Sequence, residues 1–578
     1  MRYALLAPRY VKSERKPLTG DNLVAKSLGC TILSTQTPPV NEALMRIRPS
    51  VLIDSSPLAG AKTSYGCGEC KYGNGYFGMC LPHRGRQLKH ALLANIGSGD
   101  ATKDCPVVRI ARGEKEGVII QTLGSLALSS LWPDKSPING AESGRPYIQP
   151  EFFPPVFFLD AQVFQRNHLE IPKLSIPLPV YASDFIGDAW AVGDKFFDTV
   201  HKWMPFISKK RFFENLLNPL SQPRADVTIL VFCMKLVIWL PSETTRGKDP
   251  RTSAYLFAKR TLLEAEVAGM LTLQLLQSWL LVTIYELGHA IYPSAYMSIA
   301  TCARYGSLLD LKRDRSMIFR DSTTWIELEE RRRTWWTAVV LDRFINLGSP
   351  ERPMVAEEPE LDDILPAKDD SWDQGVMELN HPLALSSPAT TVLGRFAKLI
   401  QASHLLGKVL NHVAGQRLGG VFYDEVTAQL DRTLRSLIQV SRSGEFSEQI
   451  PFCAQINICY SALMILHDPV LNKRSHHSYV EKRIILKAIA DKVVEDSRVF
   501  LARLQPTMRI ESITPLLLHG AYQALATYGS LDPSSRSNEA EAFNVLEQKL
   551  IFVSLRWNAG DSYLRILEAR RLWATDVL

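Results

Sequence analysis

Residues 324–366 read TWIELEERRRTWWTAVVLDRFINLGSPERPMVAEEPELDDILP. Thr324 followed three residues later by Glu327 is a capping box, the hydroxyl and the carboxylate each able to satisfy a backbone N–H at a helix start. Glu327–Arg331 and Glu329–Arg333 stand at i,i+4 in the favourable polarity, each worth a few tenths of a kcal/mol (about 0.2–0.5) on an exposed helix. Trp336, Val340, Phe344 and Leu347 fall at steps of four, four and three, one apolar stripe turned to a core. Asp342 and Arg343 are expected to interrupt the helix near its end. Beyond it Pro353, Pro359 and Pro366, with five acids among them, make a non-helical acidic loop, and residues Glu357–Asp370 are read as a solvated loop that could serve as a contact surface.

The same helical spacing extends in both directions. Leu262–Tyr285, Leu393–Val413, Asp424–Val440, Ile456–Leu466, Arg483–Leu504 and Ala540–Arg570 all carry apolar residues three and four apart. Alternating β-branched runs are missing, and Asp468-Pro469 and Asp532-Pro533 punctuate the text. No fixed period recurs, which argues against a regular solenoid. The expected fold is all-α: a large irregular helical regulatory domain over 184–578. Before it lies a Pro-rich linker over 131–183; residues 131–180 hold nine of the 34 prolines. Text such as PEFFPPVFFLD there is not expected to run as helix, and is read as a linker or as a strap packed on the next domain by its Phe residues. Residues 1–130 form a basic, Cys- and Gly-containing, poorly ordered segment.

Composition sets the outer limits. With 578 residues, 46% hydrophobic and 22% charged, the chain can bury a large core without disulfides or metal. Nine cysteines at irregular spacing do not make a secreted disulfide framework. The start holds only a short apolar stretch, too little for a signal-peptide core. The run Val267–Tyr285 is uncharged, yet it carries Gln274, Gln277 and Ser278 between Glu266 and Glu286, as a buried core helix would. The chain is therefore expected to be intracellular, in a reducing compartment, with no membrane partner. Of the net charge of +6, residues 1–120 contribute 17 Lys+Arg against 9 Asp+Glu. A basic arm meeting a polyanion is one reading; a solvated tail is the other.

The 324–366 pattern resembles the middle homology region of fungal zinc binuclear cluster (Zn(2)-Cys(6)-type) transcription factors. There an E-x-RRR-x-WW helix runs into LDR, a Gly-Arg-Pro turn and an acidic D-x-x-LP loop. Arg331, Arg332, Arg333, Trp335, Trp336, Asp342 and Arg343 match, as does Asp362-Asp363-Ile364-Leu365-Pro366. The compact turn is spread here as Gly348-Ser-Pro-Glu-Arg352-Pro353. Phe197–Phe206 with Phe212, Leu276–Leu311 and Tyr460–Pro469 resemble further segments of the family in the expected order. Arginines beside glutamates are ordinarily a solvated salt-laced face and paired Trp ordinarily core, so the motif residues are read as architectural; a surface holding a partner, an effector or the protein's own DNA-binding arm is the alternative.

The resemblance implies a nuclear regulator of RNA polymerase II genes, with a pathway-specific target set such as metabolic or secondary-metabolite genes. It implies contact with promoter DNA directly or through a partner factor, contact with transcription machinery or co-regulators, and a homodimer or a small-molecule effector as candidates. No sustained heptad near the linker supports dimerisation. The family's six-cysteine zinc cluster is not recognisable: the N-terminal cysteines are 30, 67, 70, 80 and 105, with one Cys-x2-Cys pair. What remains is Cys67, Cys70, Cys80 and His83, two soft-ligand pairs suited to tetrahedral zinc, followed by Arg84, Arg86 and Lys89 as candidate DNA contacts. Unligated thiols in a flexible arm are the competing reading. Either the start of the chain is not the authentic one, or the chain is a member without the cluster. A helical co-regulator or scaffold without DNA binding of its own is then the alternative function. Tyr285-Glu-Leu-Gly-His289 misses the first imidazole of a zinc-protease H-E-x-x-H helix, His289 being read as a partly buried helix residue, and phosphate loops and nucleophile elbows are absent. No enzymatic activity is expected.

Overall fold

Three- and four-residue apolar spacing becomes helix along nearly the whole body of the chain. The computed structural model describes residues 153–576, apart from 218–223, 242–247, 313–323, 378–382, 389–392, 416–420, 444–452, 472–478, 505–509 and 530–538. The Cys67, Cys70, Cys80 and His83 set, with Arg84, Arg86 and Lys89, lies outside the described residues. The longer helices are α1 Val180–Ile186, α2 Ala189–Asp198, α3 Lys209–Leu217, α4 Ala225–Val237, α5 Ser253–Val267, α6 Leu273–Gly288, α7 Ser294–Leu308 and α8 Trp325–Ile345. They continue as α9 Arg395–Ala414, α10 Val421–Ser443, α11 Ala454–His467, α12 Tyr479–Ala502, α13 Leu518–Gly529, α14 Ala540–Ser554 and α15 Ala559–Asp576. Among the described residues the only β-type pairing is an isolated antiparallel bridge, Ile364 to Ala384. The fold is all-α.

Packing follows burial. Every residue of helix α6 except Gln274 is buried, and the helix packs against α4 and α7. Helix α11 is buried likewise and packs on α9 and α10. Helix α8 joins the two groups, touching α6, α7 and α9. One continuous apolar core runs from Ala182 to Leu567. Two glycines allow its closest approaches. A Cβ on Gly288 would overlap the ring of Trp557, and one on Gly306 would lie 2.8 Å from Trp335, nearer than side-chain atoms pack.

Several expectations change. The apolar text Leu262–Tyr285 is two helices: α5 ends at Val267, Gly269 takes a left-handed φ of +76°, and Thr272 caps α6 by accepting from the Leu275 N–H. The Gly269 backbone, cheap only without a Cβ, turns the chain. The text Ala540–Arg570 is also two helices, broken at Leu555–Asn558, where Trp557 turns inward with 0% exposure. Within the proline-rich stretch, Val156–Leu159 and Ala161–Arg166 do form short helices. Pro155 sits as N-cap of the first, where the missing N–H costs nothing. Phe164 is buried there, and Leu174, Ile176 and Leu178 lie against the main core. No helix among the described residues is long and apolar enough to cross a membrane.

Candidate functional site

Helix α8 begins as its text predicts, the Thr324 hydroxyl accepting from the Glu327 N–H. From there it departs from the amphipathic reading. Glu329, Glu330, Arg331, Arg333, Asp342 and Arg343 are all buried, so the salt-laced face points into the protein instead of into water. The helix is not interrupted at Asp342 and Arg343: it continues to Ile345, and these two residues form its last turn. A charge in the interior must be paired and hydrogen-bonded, and distant segments supply the partners.

At the amino end Arg333, with 0% exposure, donates from Nε to Glu329 (2.9 Å), from Nη1 to Asp369 (2.8 Å) and to the Pro205 carbonyl (3.1 Å), and from Nη2 to the Ala367 carbonyl (2.7 Å). Its guanidinium carbon stands 4.2 Å from the centre of the Trp372 ring. Glu329 also accepts from Arg332 (2.6 Å) and from the Ala367 N–H (2.8 Å). Glu330 accepts from the Ser208 N–H, Arg211 and Gln277 at 2.9, 2.5 and 3.0 Å. Arg331 donates to the Leu309 carbonyl at 2.6 Å, and Trp336 Nε1 to the Ile364 carbonyl at 2.9 Å. Trp335 is buried against Gly306.

At the carboxyl end Asp342 accepts from the N–H groups of Val355 and Ala356, both at 3.1 Å, and from Arg343 at 2.7 Å. Burial raises its pKa, with Arg343 and the two N–H groups acting against that rise. Arg343 also donates to the Ala356 carbonyl and to Glu358, both at 3.1 Å, and Lys408 completes the group 3.0 Å from Glu358. The acidic loop is therefore not a free solvated loop. It is strapped to α8 at Val355–Glu358 and again at Ala367–Asp369, with Pro366 buried and Pro353 exposed at the outer bend. Each buried arginine of α8 is thus tied to a carboxylate or to a backbone carbonyl.

The peptidase-like text resolves the same way. Glu286 is fully buried and accepts from Tyr255 and Lys259, both at 2.8 Å, and from Ser298 at 2.5 Å. His289 is buried completely, not partly, with 2% exposure; burial and then Arg556 push its pKa down to about 3. The described cysteines do not fit a metal. Cys233, Cys302 and Cys459 are buried, and burial raises all four thiols, Cys302 and Cys453 to about 12. Among the described residues no three His, Cys, Asp or Glu side chains are grouped to hold an ion.

A cavity of about 390 Å³ opens where α8 ends. Its walls come from the α6–α7 turn, from the 3-10 turn Asn346–Gly348 and the bend after it, and from the start of α13 and α15. Most of its surface is apolar, including Phe344 and Leu347. The polar groups are few: Ser562, the phenols of Tyr292 and Tyr563, and the guanidinium of Arg352. Local patterns gave no sign of this site, because its walls lie more than 200 residues apart in the chain.

Comparison with known proteins follows the same body. The family model described as fungal specific transcription factor domain matches residues 194–450. Transcription factor BOA15 of Botryotinia fuckeliana (strain B05.10) is 33% identical over 178 residues, 31% of this chain and 98% of that protein. Transcription factor tazR of Aspergillus terreus is 30% identical over 182 residues, 31% of this chain and 28% of that protein. Pigment biosynthesis transcriptional activator pigB of Monascus ruber is 25% identical over 407 residues, 65% of this chain and 71% of that protein. No solved structure matches the chain.

Proposed function

The chain belongs to the fungal specific transcription factor family, and from that premise we propose that it switches one pathway-specific set of RNA polymerase II genes, a secondary-metabolite set, in the nucleus. The observation that carries the reading is the similarity across 65% of the chain to a protein named for pigment biosynthesis. The helical body of 184–578 would be the regulatory domain, its state set by a small effector in the cavity at the end of α8. The 131–183 linker would join it to the basic segment 1–130, which would reach promoter DNA through Arg84, Arg86 and Lys89. Zinc, if this segment binds it, would sit on Cys67, Cys70, Cys80 and His83. Co-regulators and a second copy of the chain are the further partners proposed. The described body is read as non-catalytic, its one protease-like acid being tied up in buried hydrogen bonds.

Deleting the gene and sequencing the transcriptome tests this. One contiguous set of biosynthetic genes should lose or gain expression together; scattered changes, or none, would overturn the reading. The single N-terminal Cys-x2-Cys pair favours a second reading, a co-regulator that reaches DNA only through a partner. Fluorescence anisotropy on mixed-sequence duplex, with zinc present, separates the two. A DNA-binding chain loses affinity steeply with log salt and the 121–578 truncation does not bind; a co-regulator shows no affinity in either form.

A further inference from the structure

The cavity at the end of α8 differs from the rest of the core in its polar groups. Among the described residues neither the Tyr292 nor the Tyr563 hydroxyl has a hydrogen-bond partner, and Arg352 makes no ion pair, whereas the buried Arg333 and Arg343 each pair with a carboxylate. Tyr563 stacks on Tyr522 with ring centres 4.6 Å apart, which fixes its ring. Tyr292 is 46% exposed and marks the mouth. Arg352 is exposed on the same rim, its guanidinium 5.7 Å from the Tyr296 ring centre. The bend Ser349–Pro353 that carries it is anchored by α8 on one side and by the Asp342 contacts to Val355 and Ala356 on the other. Burial raises both phenols, Tyr292 against the opposing pull of Arg352, so the hydroxyls stay protonated.

The chemistry on offer is therefore two neutral hydroxyls and a permanent cation that donates only, at the edge of an apolar, aromatic-walled space. Cavities of this size hold drug-sized molecules, and a few convergent polar groups set their orientation. We propose that this cavity binds an aromatic carboxylate, its ring system between Phe344, Leu347 and Tyr563 and its anion on Arg352 at the rim. Six cavity positions after residue 510, among them Ser562 and Tyr563, lie outside the 194–450 family match, so each chain of this kind can tailor its ligand without altering the buried frame of α8. The proposal rests on the reading of the body as an effector-responsive regulatory domain and gives that effector a chemical class.

The test is isothermal titration of the full chain with 2-naphthoate and with its uncharged methyl ester. The acid should bind one saturable site at least tenfold more tightly than the ester, the worth of one charge-assisted contact. Arg352→Gln should bring the acid down to the ester's affinity and leave the ester unchanged. Ser562→Trp, which fills the space, should abolish both, with an unchanged melting temperature showing that the protein is folded. Equal affinity for acid and ester, an Arg352→Gln variant that binds the acid as well as the parent, or no saturable binding would overturn the assignment. A reporter for the target genes then tells the two levels apart. Binding without any change in transcription would count against the effector-responsive body and leave the cavity assignment standing; transcriptional response to the acid without binding would overturn the cavity assignment alone.

Discussion

The two ends of α8 carry the same kind of residue to different ends. At Arg333 the guanidinium makes four hydrogen bonds to carboxylates and carbonyls, drawn from segments as far away as Pro205 and Asp369. Just past the carboxyl end of α8 Arg352 stands without an ion pair, beside an apolar cavity with two phenols whose hydroxyls have no hydrogen-bond partner among the described residues. An ion in the interior is costly unless it is matched, so the first arrangement is one the fold cannot do without. The second costs little, because the donors reach water until something better arrives. Buried charges paired with carboxylates mark the frame, and an exposed cation without an ion pair, facing a cavity, marks the place for a ligand.

The largest expected effect comes from breaking the frame. Arg333→Met leaves Glu329 and Asp369 without their buried cation and should cost about 3–5 kcal/mol, measured by urea denaturation. Pairing it with Glu329→Met should restore part of that loss, and the double-mutant cycle reports the coupling.

Next comes acid. His289, His404 and His519 are each 2% exposed, and burial depresses them to about 3, about 4 and about 3. Each is neutral when folded, while the unfolded chain takes up protons near 6.5. Stability is thus complete above that pH and declines as pH falls toward the folded values. By pH 5.5 the loss is about 1.4 kcal/mol per histidine, seen as a falling denaturation midpoint that His519→Gln should flatten in part.

Gly288→Ala should then cost about 1–3 kcal/mol by pushing Trp557 out of place, with a change in tryptophan fluorescence. Smallest of all, Arg352→Gln should move stability by no more than about 0.5 kcal/mol. A large loss there would erase the contrast between the two ends.

Much of the frame was legible in the sequence, and its depth was not. Thr324 and Glu327 announce the start of α8, and Trp336, Val340, Phe344 and Leu347 are all buried as their spacing requires. Glu329 and Arg333, however, read the same on a surface helix as in a core, since i,i+4 spacing carries no information about what covers it. The covering groups, Ala367 and Pro205, come from loops whose text shows nothing of their destination. Gly269 was a signal for the break between α5 and α6 inside an uncharged run, and Trp557 had no comparable local marker. The cavity was not legible at all, because α6, α8, α13 and α15 meet there only in three dimensions. Cys67, Cys70, Cys80 and His83 remain sequence readings, outside the described residues.

Replacing the chromosomal copy with Arg352→Gln or Arg333→Met alleles, and reading protein level by immunoblot beside target-gene transcripts, tests the contrast most directly. The account predicts that Arg333→Met depletes the protein and its transcripts together, while Arg352→Gln keeps a normal protein level and changes the transcripts alone. A normal level of the Arg333→Met protein, or transcripts untouched by Arg352→Gln, would contradict it.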